Sequence, residues 1–325
     1  MQKHLYTIVL YVTLGLFAQS QELPPFENFA PKDYQAQNQN WSITQDHENV
    51  IYFANNAGLL EFNGAKWTTY PSPNQTIMRS VLALGKRIYT GCYMEFGYWE
   101  RSQRGQLQYQ SISEELKIEL IEDEEIWHII DYKNFILFQS LQRIYLYSLE
   151  DGSVKKIDAQ NEIIKIFKVD ESVFYQDRGF GLFKFHDEGP SLLSDHVLVL
   201  KNEVVGIFSD AKDLLIVTSS SGIYQLSQKE VVPWNKANKH LRNLQVYSTL
   251  QTAEGSLILG TISHGILDIS DQGDLRQNYS QENSLANNTV LSLFQDADEN
   301  IWSGLDNGIT LINRNAPIRI FRDAE

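Results

Sequence analysis

Seven segments of this chain fit one frame of letters, and the frame returns about every 42 residues. The clearest copies stand near the two ends, DHENVIYFANNAG at 46–58 and DADENIWSGLDNG at 296–308. Each opens on Asp and closes on Gly twelve positions later. An apolar and aromatic run lies between, with Tyr52 and Trp302 at the same place. DAKDLLIVTSSSG at 210–222 keeps the interval, and TAEGSLILGTISHG at 252–265 adds one residue. VDESVFYQDRGFG at 169–181 and GKRIYTGCYMEFG at 85–97 substitute the first position, and DYKNFILFQSLQR at 131–143 ends on Arg143 in place of Gly. The anchors are therefore 58, 97, 143, 181, 222, 265 and 308, separated by 39, 46, 38, 41, 43 and 43 residues.

Each unit reads as four short strands, in the first unit at 41–44, 50–54, 58–62 and 66–70. Between them stand Asp, Asn and Gly, whose short polar side chains or missing Cβ suit tight turns. The anchor Gly is expected to open the third strand, where positive φ or close packing excludes a side chain. Aromatic residues are 12% of the chain and Pro only 8 of 325, which also favours strands. One four-strand unit cannot bury both faces alone, but seven stacked radially cover one another and leave only short sheet edges. The expected fold is all-β: one seven-bladed β-propeller of four-stranded antiparallel blades over residues 38–317. Residues 21–37, with the strand-like PPFENF at 24–29, are expected to complete the seventh blade and close the ring. Residues 318–325 read as a last strand or the start of a further domain.

The first 20 residues do not belong to the ring. A basic start with Lys3 and His4, an uncharged apolar run at 5–17, and Ala18-Gln19-Ser20 make the pattern of a secretory signal peptide. The run has 13 residues, short of the roughly 20 needed to span a bilayer. Export follows as the expectation. With 41 Asp+Glu against 27 Lys+Arg, a net charge of −14 argues against direct nucleic-acid binding. The single Cys92 excludes a disulfide framework and a thiolate metal cluster, and reads as a small buried side chain.

The frame resembles the two-component regulator propeller repeat, Asp-x-x-Gly-Asn-Leu-Trp-Ile-Gly-Thr-x-x-Gly-Leu. The copy at 296–308 is similar throughout, with Glu299 in place of the usual Gly, and residues 45–67 and 88–99 look like the variant of exported Bacteroidota regulators. The resemblance covers nearly all of 38–313. It implies a periplasmic sensor, followed in such proteins by a Tyr-rich β-sandwich, a membrane helix and a histidine kinase or DNA-binding output. It also implies a role in signal transduction and transcription regulation, and an oligosaccharide as the ligand. A homodimer or a partner protein is open on the same grounds.

Motifs for catalysis are absent: no Gly-x-Ser-x-Gly, no phosphate-cradling Gly-rich loop, no His-Glu-x-x-His. The seven His form no pair suited to a metal, so no enzyme activity, cofactor or metal is expected. Asp296-x-Asp298-x-Asn300 resembles the opening of a calcium loop but lacks its Gly and distal Glu, and reads as hairpin-turn chemistry. The acidic run Glu122–Glu125 reads as a solvated inter-blade loop. Ligands of propellers gather at the channel mouth, on loops linking second to third strands and blade to blade. On loops of the first kind Tyr93, Glu95, Phe96, Asp177, Arg178, Phe180 and His264 are the candidates, since aromatic faces stack on sugar C–H surfaces while carboxylates and Arg bond hydroxyls. A protein-interaction scaffold is the alternative. A propeller lyase or glycosidase is a third reading, which needs two carboxylates facing each other, for which Glu95 of blade two and Asp177 of blade four are the pair to test.

Overall fold

The computed structural model describes residues 21–322 except 187, 228 and 229; the signal-peptide reading at 1–20 lies outside the described residues. Seven four-stranded antiparallel sheets occupy residues 40–71, 78–111, 128–158, 163–194, 204–233, 246–279 and 290–312, the last completed by Phe26–Phe29. They are called blades one to seven in that order. The first strand of each blade lies beside the first strand of the next, and that of blade seven beside that of blade one, so the ring is closed.

Closure joins the two ends of the chain. Phe26–Phe29 is the outer strand of blade seven, antiparallel to Ile309–Ile312 with Phe29 opposite Ile309. A second, separate ribbon pairs Gln21–Leu23 with Ile320–Arg322, and the Leu23 side chain is buried with Tyr279 and Ile312 between blades six and seven.

The core sits between blades rather than at the ring's centre. Strands such as Ile51–Asn55, Leu257–Thr261 and Ile301–Leu305 are buried along their whole length, because each face of a blade packs on a neighbour. That is why the second strand of the frame is a continuous apolar run and does not alternate. Between blades seven and one, Phe53, Leu60 and Trp302 meet Phe29, with the Phe53 and Trp302 rings 5.7 Å apart.

The recurring letters have hydrogen-bonding reasons. Asp296 Oδ1 accepts from the backbone N–H of Asp298 at 3.0 Å and of Asn300 at 2.8 Å. Its Oδ2 accepts from Asn300 Nδ2 at 3.0 Å and from the Trp302 indole Nε1 at 2.8 Å. Asp46 repeats the pattern on the amides of Glu48 and Val50 and the Tyr52 hydroxyl. Both carboxylates are thus saturated by N–H and O–H donors and close a turn. Asp296→Ala is expected to destabilise the fold by about 1–3 kcal/mol, since the indole N–H and two amides lose their acceptor. Urea denaturation would check this, with the exposed neighbour Asp298→Ala expected to stay within about 0.5 kcal/mol.

Two glycines show what the frame's small residues do. Gly58 has φ of +132°, and a Cβ there would lie 2.2 Å from the Tyr70 carbonyl oxygen of the outer strand. Gly304, in the second strand of blade seven, sits so close to blade one that a Cβ would meet Ser292 Oγ at 2.2 Å and the Asn40 oxygen at 2.5 Å. Arg143 occupies the anchor of blade three without positive φ, and its guanidinium instead reaches Asp158 at 2.8 Å.

Candidate ligand site in the channel

The inner strands carry a repeated irregularity that shapes the channel. In six blades their pairing with the second strand slips near the start: between Asn40 and Ser42, Met78 and Ser80, Ile163 and Ile166, Val204 and Gly206, Val246 and Ser248, and Val290 and Ser292. A residue left out of the ladder is re-aimed by the local bend. The residues so released are Trp41, Arg79, Ile164 with Lys165, Val205, Tyr247 and Leu291, and all of them line one cavity of about 320 Å³. Blade three pairs without a slip, and there Trp127 and His128 face the same cavity.

In five of the six blades the residue after the slip is small, Ile166 of blade four being the exception, and where it is Ser its hydroxyl ties one blade to the next. Ser80 Oγ donates to the Ile126 oxygen at 2.8 Å, Ser248 Oγ to Val290 at 2.9 Å, and Ser292 Oγ to Asn40 at 3.0 Å, the last across the junction of blades seven and one. The channel lining and the blade spacing are therefore set by adjacent letters.

The most ordered feature of the cavity is an aromatic and cationic stack. The Arg79 guanidinium carbon lies 4.2 Å from the Trp41 ring centroid and 4.6 Å from that of Trp127. The two indoles meet edge to face, 6.3 Å apart at 82°. Glu125 grips the same guanidinium with both oxygens, each 3.3 Å from a donor nitrogen. Trp41 is held from behind: its Nε1 donates to Asn56 Oδ1 at 2.7 Å, Asn56 Nδ2 to Gln39 Oε1 at 2.8 Å, and Gln39 Nε2 to Asp306 Oδ1 at 2.6 Å. Asn56 and Asp306 come from the turns between second and third strands, so this chain runs along one end of the ring. Arg–aromatic contacts contribute about 0.5–2 kcal/mol each, and the fixed carboxylate makes the cation's position a property of the free protein.

Further round the cavity, Arg178 pairs with Glu162 at 2.7 Å. Burial, and next the Lys165 charge, hold His128 well below its usual range, so it is neutral at pH 7. Burial also lowers Lys165, to about 8, while Glu203 works in the opposite direction.

Among the seven candidates from the sequence, only Arg178 lines this cavity. Phe180, 44% exposed, stands on the same turn, and His264 is exposed on the corresponding turn of blade six with Nδ1 2.9 Å from Ser263 Oγ. Tyr93 is half-buried and hydrogen-bonds Asp123 through its hydroxyl. The other three are internal. Glu95 is buried and its Oε1 accepts from the hydroxyls of Tyr109, Ser111 and Ser113 at 2.8–2.9 Å. Phe96 has no exposed surface and packs 4.5 Å from the Phe138 ring. Asp177 is buried and accepts from the amides of Gln160, Asn161 and Glu162, so it holds the loop that presents Glu162. Neither Glu95 nor Asp177 offers a carboxylate to a substrate, which removes the pair on which a glycosidase reading rested. The acidic run is also corrected. Glu124 is buried, bonding Ser140, Tyr145 and the Ile121 amide, and Glu125 is the partner of Arg79. Cys92 is buried, and burial pushes its thiol up to about 12.

No protein-family model and no curated protein matches the sequence. Solved structures do. The extracellular domain of BT3049 of B. thetaiotaomicron, described as a hybrid two-component system, superposes with a TM-score of 0.71 at 19% identity, over 90% of this chain and 42% of that one. The likeness is one of fold. The extracellular domain of BT4673 from the same organism, also described as a hybrid two-component system, gives 0.68 at 20% identity over 90% of this chain and 40% of that one. This chain thus spans about two-fifths of those structures, and they are of the class of regulator that the repeat motif resembles. A streptogramin B lyase matches at 14% identity with a TM-score of 0.61, over 89% of this chain and 97% of that one. Among the described residues no helix is long and apolar enough to cross a membrane.

Proposed function

We propose that this chain is the ligand-sensing propeller of an exported signal-transduction regulator, and that an oligosaccharide binds in the channel beside the Trp41–Arg79–Trp127 stack. The observation that carries this reading is the stack itself: two half-buried indoles and a fixed guanidinium converge from three blades on one cavity. Indole surfaces suit the C–H faces of pyranose rings, and guanidinium and carboxylate groups suit their hydroxyls. Likeness in fold to extracellular domains of two-component regulators supports a sensing role. Arg178 belongs to this site, with Phe180 and His264 on its rim. Output would pass to further domains or to a membrane-spanning partner, and transcription regulation would lie there.

Calorimetric titration of the exported protein with a panel of oligosaccharides tests the reading. Saturable binding is expected, weakened about tenfold by Trp127→Ala, the equivalent of some 1.4 kcal/mol. Absence of any sugar binding, together with capture of a folded protein partner on the same face, would favour the scaffold alternative.

A further inference from the structure

Lys165 differs from the other cations of the channel. Arg79 is held by Glu125 and Arg178 by Glu162, but no carboxylate lies within 4 Å of the Lys165 ammonium among the described residues. Its polar contact is the Val205 carbonyl oxygen at 3.5 Å, the outer limit of a hydrogen bond, and the Phe167 ring lies 5.9 Å away. The side chain is half-buried, and the slip between Ile163 and Ile166 releases it from the sheet into the cavity. The groups that share its walls are neutral His128, Tyr247, the paired Glu162 and Arg178, and Glu203, which is exposed. Burial lowers its affinity for a proton because the cavity solvates the charge poorly. A cation taken out of water without a counter-ion is costly, and a fold that keeps one in a cavity has a place prepared for an anion.

We propose that the channel ligand is an acidic sugar whose singly charged group, a uronate carboxylate or a sulfate ester, pairs with Lys165. The proposal rests on the glycan-sensing reading above and narrows its ligand class. A single charge fits better than the double charge of a phosphate monoester. Among the described residues that line the cavity only Lys165 is a cation without a carboxylate partner, and Glu162 and Glu203 on the same wall would oppose a second negative charge.

The test compares digests of neutral, uronate-containing and sulfated polysaccharides on the wild-type protein and on Lys165→Met and Lys165→Arg, by calorimetry and thermal unfolding. Acidic oligosaccharides are expected to bind at least tenfold more tightly than neutral ones at pH 7. That preference should vanish in Lys165→Met, survive in Lys165→Arg, and fall in the wild type as the pH rises past 8 towards 10. Without ligand, Lys165→Met is expected to be as stable as wild type or more so, because an uncompensated charge has gone. The two acidic digests distinguish carboxylate from sulfate. Tight binding of neutral sugars alone, an acidic preference that persists in Lys165→Met, or a marked loss of stability in that variant would overturn the proposal while leaving the sensing role intact. Binding of no sugar in any digest would overturn both.

Discussion

Replacing Arg314 by Met is expected to lower the unfolding free energy by about 3–5 kcal/mol, the cost of leaving a buried charge without its partner. Arg314 follows the third strand of blade seven and donates through Nε to Asp268 Oδ2 at 3.1 Å, with its Nη2 3.0 Å from the same oxygen. Asp268 sits in the third strand of blade six and is 4% exposed on its side chain, against 11% for Arg314. The pair therefore crosses the last blade junction before the ring closes. Its geometry is incomplete, because Asp268 Oδ1 is buried and meets no donor. Burial outweighs Arg314 and holds the Asp268 carboxyl above its ordinary range. An acid with a raised folded-state pKa favours the fold most when protonated, and that contribution is lost as pH rises through the folded value. Removing Arg314 raises the value further, so the loss in Arg314→Met should be smaller near pH 4 than at pH 7. The double replacement Arg314→Met with Asp268→Leu should recover most of the stability, since no charge is then left behind. Chemical denaturation of the three variants at the two pH values checks each step. Equal losses at both pH values would count against an uncompensated Asp268 as the cause.

Phe29→Ala should have a loss of similar size, about 3–5 kcal/mol, by a different mechanism. Phe29 ends the N-terminal strand that completes blade seven, and it is 8% exposed. Its ring lies 5.3 Å from Trp67 and 5.6 Å from Phe62 in blade one, and 6.1 Å from Trp302 in blade seven. Truncation would open a cavity at the seam where the first and last blades meet, among rings too large to collapse into it. The neighbouring Asn28 is fixed by Thr310 Oγ1, which donates to its Oδ1 at 2.6 Å, and by its own Nδ2 donating to the Ser284 oxygen at 2.9 Å. Loosening Phe29 therefore loosens the whole closing strand. Phe180→Ala is the matched control: the same atoms are removed from a ring 44% exposed, and stability should change by no more than about 0.5 kcal/mol. Hydrogen exchange on 26–29 would show whether the seam opens before the rest of the ring.

The ring and its blade count were legible because the repeated letters have local jobs. Asp46 and Asp296 close turns, Tyr52 and Trp302 return a donor to them, and Gly58 avoids a clash with the outer strand. The site was mostly hidden. Glu95 and Phe96 open the third strand of blade two and Asp177 ends the second strand of blade four, beside the turns where a ligand was expected, and all three are buried. Trp41, Arg79 and Lys165 were missed because a slipped residue breaks the alternation by which strand faces are read, and Trp127 because it lies just before the first strand of blade three. A usable signal did exist. Trp41, Arg79, Tyr247 and Leu291 each stand immediately before the recurring Ser42, Ser80, Ser248 and Ser292. A position that varies beside one that does not marks a side chain the scaffold does not need.

That position has an evolutionary consequence. A slipped residue contributes no rung to the sheet, and apart from the buried Val205 and Leu291 these side chains are not needed to fill the core between blades, so their replacement spares most of the architecture. Six blades offer such a position, and their side chains meet in one place. New recognition can arise by changing these letters one at a time, without the loss of folding that usually accompanies remodelling a binding pocket. Chains of this architecture with little sequence in common can thus keep one scaffold and diverge in what they detect.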